Sequence, residues 1–143
     1  MNAKPDSSRT GRCLCGAVRY RVPYPFTGQI AHCHCSMCRR AAGAVAVTWF
    51  TVPTDRLEML GVPLQIYKSS PEAERGYCPT CHTPISFWSS TFPKTIDVTL
   101  ATLDNPSEFA ADMHIWTVSR LPWLALDTHL PDRAGDPDEE ALP

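Results

Sequence analysis

Seven cysteines of this 143-residue chain fall into three closely spaced groups. In chain order the groups are Cys13-x-Cys15, Cys33-x-Cys35-x2-Cys38 and Cys78-x2-Cys81. Thiolates spaced by one or two residues can face a common point, as tetrahedral zinc requires at ~2.3 Å from each sulfur. An odd number of thiols cannot all pair within one chain, and a disulfide across a Cys-x-Cys pair would be strained. The spacing therefore predicts metal binding rather than disulfides.

The spacing alone leaves open how the seven thiols are shared. One division joins the CxxC pair of the second group to that of the third as a closed zinc site, and leaves over Cys13, Cys15 and Cys33. A division into four and three uses every thiol, as a closed structural site and a three-cysteine site with an open position. An open position distinguishes catalytic zinc from structural zinc. Both divisions remain alternatives at this point.

Most of the periodic segments that must position these groups have strand character. Apolar, β-branched and aromatic residues form strand-like runs at 17–22, 45–50, 64–67, 85–88, 96–100 and 113–116. Helix signals predict only a turn or two over 36–42, capped by Ser36, and a short turn at 105–109. The 14 prolines favour short elements joined by ordered loops. The sequence thus predicts a mainly β fold of small sheets.

Length and composition fit one globular domain. We expect this domain over 12–131, between a flexible arm at 1–11 and an acidic flexible tail at 132–143. The net charge of -2, without clustered lysines and arginines, argues against a nucleic-acid or membrane surface. No apolar run approaches the ~18 residues that span a bilayer, and the N-terminus lacks a secretory signal. We therefore expect a cytoplasmic protein with reduced thiols. The oligomeric state stays open.

Three stretches of the chain resemble the motifs of a known family. They are GRCLCGAVRY at 11–20, HCHCSMCRR at 32–40 and RGYCPTC at 75–81. These stretches resemble, in order, the cysteine motifs of the glutathione-dependent formaldehyde-activating enzyme family, also called the centromere protein V family. Similar residues follow at 102–106, 114–115 and 122–123, so the resemblance covers about residues 11–130.

The chain departs from the family pattern at one position. After the last CxxC motif the family usually has glycine, whereas this chain has His82. A turn there that needs a positive φ would strain histidine, although less than a branched residue. We expect the metal geometry to survive and the loop to differ.

The resemblance implies a fold of several small twisted antiparallel sheets, sometimes called a β-tent, around a structural zinc. It implies that the ligands of this zinc are Cys13, Cys15, Cys78 and Cys81. It further implies a second, catalytic zinc with an exchangeable position, held by Cys33, Cys35 and Cys38. The implied activity is that of a carbon–sulfur lyase similar to S-(hydroxymethyl)glutathione synthase, which joins glutathione or a similar thiol to formaldehyde or a related small electrophile.

Three thiolate ligands and an open position suit the delivery of a substrate thiol, which coordination would deprotonate at neutral pH. An oriented thiolate beside an aldehyde then adds in a nearly unimolecular step. Glutathione carries two carboxylates, so candidate substrate-binding residues are Arg39 and Arg75, with Arg40 as a further candidate.

The histidines are weaker candidates than the cysteines. His34 lies between two expected ligands, where it could relay a proton or point away from the metal. His32 and His82 are expected to be structural, and His114 and His129 to be packing or surface residues. Two other functions remain open. The chain could be a non-catalytic zinc module that binds protein or nucleic acid, or the same zinc site could act on another small thiol adduct.

Overall fold

The computed structural model describes residues 7–136 as a mainly β protein with one α-helix in that range. The strands are, in order, β1 (Arg9–Arg12), β2 (Arg19–Val22), β3 (Ala31–Cys33), β4 (Val47–Pro53), β5 (Glu58–Met59), β6 (Gln65–Lys68), β7 (Ala73–Tyr77), β8 (Pro84–Ser89), β9 (Thr95–Thr99) and β10 (Met113–Ile115). The helix α1 spans Ser36–Ala42. Short 3-10 turns lie at Thr54–Arg56, Leu100–Thr102, Pro106–Glu108 and Thr117–Ser119. The mainly β fold class is therefore confirmed.

The chain divides into two compact units. The first contains the residues up to Gly28 together with Phe50–Glu108, and the second contains Gln29–Trp49 and the chain from Phe109 onward. A single domain over 12–131 stays a prediction.

The first unit is built from antiparallel strands. β2 lies between β1 and β5 in a three-stranded sheet. β9, β8, β7 and β6 lie side by side in that order, each antiparallel to the next. The end of β4 lies beside β9, where the Thr51 hydroxyl donates to Asp97 Oδ1 at 2.6 Å. This frame places the β1–β2 turn and the β7–β8 turn in the same unit.

In the core of the first unit, a buried tyrosine packs directly against a glycine. Tyr20 on β2 is fully buried, and its hydroxyl lies 2.7 Å from Oγ1 of Thr102. Gly11 lies directly across from it on β1, and a Cβ at that position would overlap the phenol ring. Glycine is thus required by close packing. Burial raises the pKa of the Tyr20 phenol.

In the second unit, β3 lies between β10 and the start of β4. β3 and β10 run parallel, with His32 opposite His114 and Cys33 opposite Ile115. This parallel pair departs from the antiparallel sheets that the resemblance implied. β3 and β4 are antiparallel. The helix α1 follows β3 after two residues and ends at Gly43 in the left-handed region, as helices commonly do.

All six predicted strand runs contain a strand, and the predicted helix spans 36–42 as expected. The prediction of Ser36 as the cap is wrong, because the helix begins at Ser36 and Cys35 occupies the N-cap position. The sequence did not predict β1, β3, β5 and β7. These strands are short or rich in polar residues and glycine, so neighbouring strands rather than intrinsic preference make them extended.

The described parts of both chain ends are bound to strands. Residues 1–6 and 137–143 lie outside the described residues. Part of the predicted flexible arm at 1–11 is β1, which pairs with β2. The start of the predicted tail at 132–143 follows β10. There the Arg133 N–H donates to the His114 carbonyl at 2.9 Å, and the Trp116 N–H donates to the Gly135 carbonyl at 3.0 Å.

Candidate metal centre

Four cysteine thiols meet in the first unit. The Sγ atoms of one cluster all lie within 4.8 Å of one another, and its members are Cys13, Cys15, Cys78 and Cys81. The sulfur of Cys15 lies 3.6 Å from that of Cys13 and 3.8 Å from that of Cys78. A tetrahedron of sulfurs at ~2.3 Å from a zinc ion has edges of about 3.8 Å. This four-cysteine cluster could therefore hold one metal ion, and it joins the first and third cysteine groups.

The turn between β1 and β2 presents the first pair of thiols. The Cys13 N–H donates to the Val18 carbonyl at 3.1 Å, and the Gly16 N–H donates to the Cys13 carbonyl at 3.2 Å. Gly16 has φ +80, which glycine adopts without steric cost. This tight turn also aims the Val18 N–H at the Cys13 sulfur, 3.3 Å away. The backbone of this turn thus holds the Cys13 sulfur in place.

The turn between β7 and β8 presents the second pair. The Cys78 N–H donates to the Thr83 carbonyl at 3.1 Å, and the His82 N–H donates to the Cys78 carbonyl at 3.0 Å. Inside this loop, the N–H groups of Thr80 and Cys81 each point at the Cys78 sulfur from 3.4 Å. Cys78 itself is fully buried. A buried thiolate that receives two N–H donors is stabilised without a counter-charge on a side chain.

His82 occupies the left-handed conformation expected at its position. Its φ is 63, and its ring centroid lies 6.0 Å from that of Tyr77. An L-residue other than glycine pays about 1 kcal/mol or more in this region. The turn nevertheless places Cys78 and Cys81 in the cluster, so the substitution strains the loop without dispersing the thiols.

Thr83 connects the two turns and was not predicted from the sequence. Its hydroxyl oxygen accepts a hydrogen bond from the Leu14 N–H at 3.1 Å and lies 3.1 Å from the Cys81 sulfur. Hydrogen bonds from this hydroxyl and from the backbone of Cys15 and Thr83 lower the pKa of the Cys81 thiol to about 5. A hydroxyl residue two positions after a ligand is the signal that could have revealed it.

The other three cysteines lie in the second unit, at the end of β3 and the start of α1. Cys33 ends the strand, Cys35 is the helix N-cap and Cys38 lies in the helix. A hydrogen bond from Cys33 lowers the pKa of Cys35 to about 5, with smaller contributions from first-turn N–H groups. Hydrogen bonds to Cys35 and then Cys38 raise the pKa of Cys33. Cys33 therefore interacts with both of the other thiols.

This donor set fits a cation that prefers sulfur, because three cysteines lie at one strand-to-helix junction and the thiol of Cys35 is acidic. Among residues 7–136, however, only the four-cysteine cluster has its ligand atoms gathered within 4.8 Å. The two sets thus differ in how tightly their sulfurs lie together.

The histidines considered in the sequence analysis are either buried in the second unit or exposed. His34 and His114 are buried in the second unit, where His34 Nε2 lies 2.8 Å from His114 Nδ1. His32 lies 2.7 Å from both Thr48 Oγ1 and Asp127 Oδ2 through its two ring nitrogens. By contrast, His82 lies in the first unit and His129 is exposed. Burial lowers the pKa of His34 to about 4.

The two predicted substrate-binding arginines lie in different units. Arg39 belongs to α1, directly after Cys38, and its guanidinium donates to the Ser119 carbonyl at 3.2 Å. In the first unit, the guanidinium carbon of Arg75 lies 4.9 Å from the ring centroid of Phe87, its cross-strand partner. Both side chains are half-buried.

Comparison with known proteins decides the family. A family model described as glutathione-dependent formaldehyde-activating enzyme matches residues 8–119, which is most of the chain. The chain belongs to this family. The match includes all seven cysteines and confirms the resemblance in the motifs at 11–20, 32–40 and 75–81.

Two known proteins are similar to this member of the glutathione-dependent formaldehyde-activating enzyme family. One is a Halomonas elongata protein that is provisionally named a glutathione-dependent formaldehyde-activating enzyme. It is 28% identical to this chain, and the match covers 90% of this chain and 88% of the relative. The crystal structure of a Rhodobacter sphaeroides protein covers 86% of this chain and 98% of its own, with a TM-score of 0.56 and 20% identity. That likeness supports the fold. No helix in the described part of the chain is long and apolar enough to cross a membrane.

Proposed function

We propose that this family member is a zinc-dependent carbon–sulfur lyase that resembles S-(hydroxymethyl)glutathione synthase. It would join a thiol, glutathione or a similar one, to formaldehyde or a related small electrophile. The observation that carries the proposal is the division of the seven thiols into a gathered set of four and a separate set of three. The family membership and the name of the Halomonas elongata relative support the reaction.

The four-cysteine cluster is assigned to a structural zinc ion. Four protein thiols complete a tetrahedral site and leave no position for a substrate. The backbone donors around Cys78 favour the thiolate form that a metal requires. A structural zinc site needs no opening for a substrate, so two turns closed by backbone hydrogen bonds suit it. A catalytic site would have to admit the substrate.

The three-cysteine set is assigned to the catalytic zinc ion, with Cys33, Cys35 and Cys38 as its ligands. When bound there, zinc would supply the positive charge that keeps a substrate thiol deprotonated at neutral pH. In the reaction the thiol sulfur bonds to the aldehyde carbon, the carbon–oxygen π bond breaks, and the thiol proton ends on the oxygen. The chain contributes orientation, because a held thiolate and aldehyde react almost as one molecule.

Arg39 and Arg75 are assigned to the carboxylates of the thiol substrate. The Arg39 guanidinium carries five N–H donors, of which one goes to the Ser119 carbonyl. The stacking of Arg75 on Phe87 would hold its planar guanidinium in one orientation. A guanidinium suits either carboxylate of glutathione, which it can bind through two parallel hydrogen bonds.

The reaction can be tested with isotope-labelled formaldehyde. Zinc-loaded protein is mixed with glutathione and formaldehyde, and exchange between the free aldehyde and its thiol adduct is followed by NMR. We expect exchange faster than in buffer, and we expect Cys35→Ser to abolish the acceleration. If no acceleration occurs with glutathione or with several other small thiols, the proposed activity is removed.

We place the protein in the cytoplasm as part of the same proposal. The seven cysteines all lie within residues 7–136 and form no disulfide there, which leaves their thiols able to bind zinc. A reducing compartment keeps such thiols available to metal, and it is also where a thiol substrate stays reduced.

A further inference from the structure

A chain of hydrogen bonds links His34 to the backbone of a distant loop. His34 Nε2 lies 2.8 Å from His114 Nδ1, and His114 Nε2 lies 3.0 Å from the carbonyl oxygen of Asp127. Both rings are nearly inaccessible, with 1% of His34 and 2% of His114 exposed. Among residues 7–136, nothing forms a hydrogen bond with His34 Nδ1. These contacts determine which nitrogen atoms carry protons.

The proton positions follow from the carbonyl group at one end. A carbonyl oxygen only accepts, so Nε2 of His114 must carry a proton. In a neutral ring Nδ1 of His114 is then an acceptor, and Nε2 of His34 must donate to it. The opposite direction would need a buried imidazolium at His114 and a buried N–H without a partner on His34, and both are costly. His34 thus donates a hydrogen bond to His114, and His114 donates one to the carbonyl oxygen of Asp127.

The loop end of the hydrogen-bond chain is itself held in place. Asp127 has φ 41, which is unusual for a residue other than glycine. Its carbonyl receives the His114 proton, and its carboxylate lies 2.7 Å from Nε2 of His32. His32 on β3 and His114 on the neighbouring strand β10 therefore both contact Asp127, His32 through its carboxylate and His114 through its carbonyl.

The other end of the hydrogen-bond chain is His34, which lies within the three-cysteine set. His34 is the residue between Cys33 and Cys35, and its own N–H donates to the Ile115 carbonyl at 3.0 Å. The rings of His32 and His34 both lie beside the His114 ring, with centroids 5.3 and 5.0 Å from it, so they share one face of this segment. Cys33 lies between them in the chain, and side-chain alternation places it on the other face. The backbone and the ring of His34 together hold the segment that carries Cys33 and Cys35.

We infer that His34 is a positioning residue for the three-cysteine set: its Nε2–H bond to His114 fixes the segment that presents Cys33 and Cys35 to a cation that prefers sulfur. The identity of that cation as zinc rests on the proposed function. Orientation of a ligand-bearing segment by hydrogen bonds behind it commonly changes metal affinity by ~10–100-fold.

Two substitutions at the same position separate the donor from the bulk of the ring. In His34→Gln the amide nitrogen keeps an N–H donor near the position of Nε2, whereas His34→Met has a similar size and no donor. His129→Met is the matched control, since His129 is exposed in the same unit. Zinc-loaded proteins are compared by hydrogen exchange of the amides at 33–38 and by zinc release to a colorimetric chelator, with Cys35→Ser as the one-site reference.

We expect His34→Met to speed exchange at 33–38 and to weaken the second zinc ~10–100-fold, with His34→Gln and His129→Met close to wild type. Unchanged exchange in His34→Met would overturn the inference, and so would a His34→Gln protein as impaired as His34→Met. If the wild type holds one zinc only, the catalytic metal of the proposed function fails, and the exchange comparison still decides the role of His34.

Discussion

The Sγ atoms of Cys15 and Cys78 lie 3.8 Å apart although 63 residues separate them in the chain. Two turns, each closed by its own backbone hydrogen bonds, bring them together. A metal ion bound between these turns would close a long loop in the folded chain and so contribute directly to stability.

Cys78→Ser is therefore expected to unfold the chain. Binding of a structural zinc ion is worth about 10–16 kcal/mol, which exceeds the usual net stability of a domain, about 5–15 kcal/mol. Far-UV circular dichroism on heating and zinc content per chain are the measurements. A folded Cys78→Ser protein with the zinc content of wild type would contradict the structural assignment.

Cys35→Ser is expected to spare the fold and to lose only the second metal. Cys35 lies at the N-cap of α1, and the four-cysteine cluster does not involve it. Serine is also a favourable N-cap residue, so the helix should persist. We expect zinc content to fall from two ions per chain to one, with an unchanged thermal midpoint for the first unit. Loss of all zinc in this variant would speak against two independent sites.

His82→Gly is expected to stabilise the protein by about 1 kcal/mol. His82 has φ 63, and glycine adopts this conformation without the clash of a Cβ. His82→Ala is the matched control, because it removes the ring and keeps the Cβ. The free energies of unfolding in urea are compared at equal zinc loading. A gain in the alanine variant equal to that in the glycine variant would show that the ring, not the backbone, causes the strain.

Stability is expected to fall at alkaline pH because of Tyr20. Burial raises the pKa of its phenol in the folded chain above the usual ~10. The stability from the protonated phenol is complete below pH ~10 and is lost as the pH rises further, since the unfolded chain ionises first. Urea unfolding of the wild type and Tyr20→Phe from pH 8 to 11 tests this. Identical slopes of stability against pH in both proteins would contradict it.

Arg39→Lys is expected to raise KM for glutathione by about tenfold, with little change in kcat, because lysine cannot make a bidentate contact with a carboxylate. The initial rate of adduct formation at varied glutathione is the measurement. Arg56→Lys is the control, since Arg56 is an exposed arginine in the 3-10 turn at Thr54–Arg56. An equal KM in the Arg39 and Arg56 variants would remove Arg39 from the substrate site.

Local features of the chain were readable without a structure. The spacing of Cys33, Cys35 and Cys38 predicts metal binding because thiols so close together can converge within one turn. Alternation of side chains predicts β2 and β8 because a half-buried strand requires it. The positive φ at His82 followed from the glycine that similar chains have there.

Strands such as β7 could not be predicted in the same way. Its sequence, AERGY, mixes charge, glycine and one aromatic residue, and its extended form depends on β6 and β8 on either side. The role of Thr83 was not predicted either, because it depends on contacts of its hydroxyl group with both Leu14 and Cys81.

The sequence by itself determined the family, the mainly β class and the presence of thiols at metal-binding spacing, since these depend on neighbouring residues. Cysteine spacing left open which thiols meet, and the family resemblance implied the set of four. The tertiary structure brings Cys15 and Cys78 together, because they approach only when strand pairing closes the chain between them. It also decided the contact of His34 with His114, 80 residues away. Hydrogen bonds at such separations are products of strand register, which no short motif records.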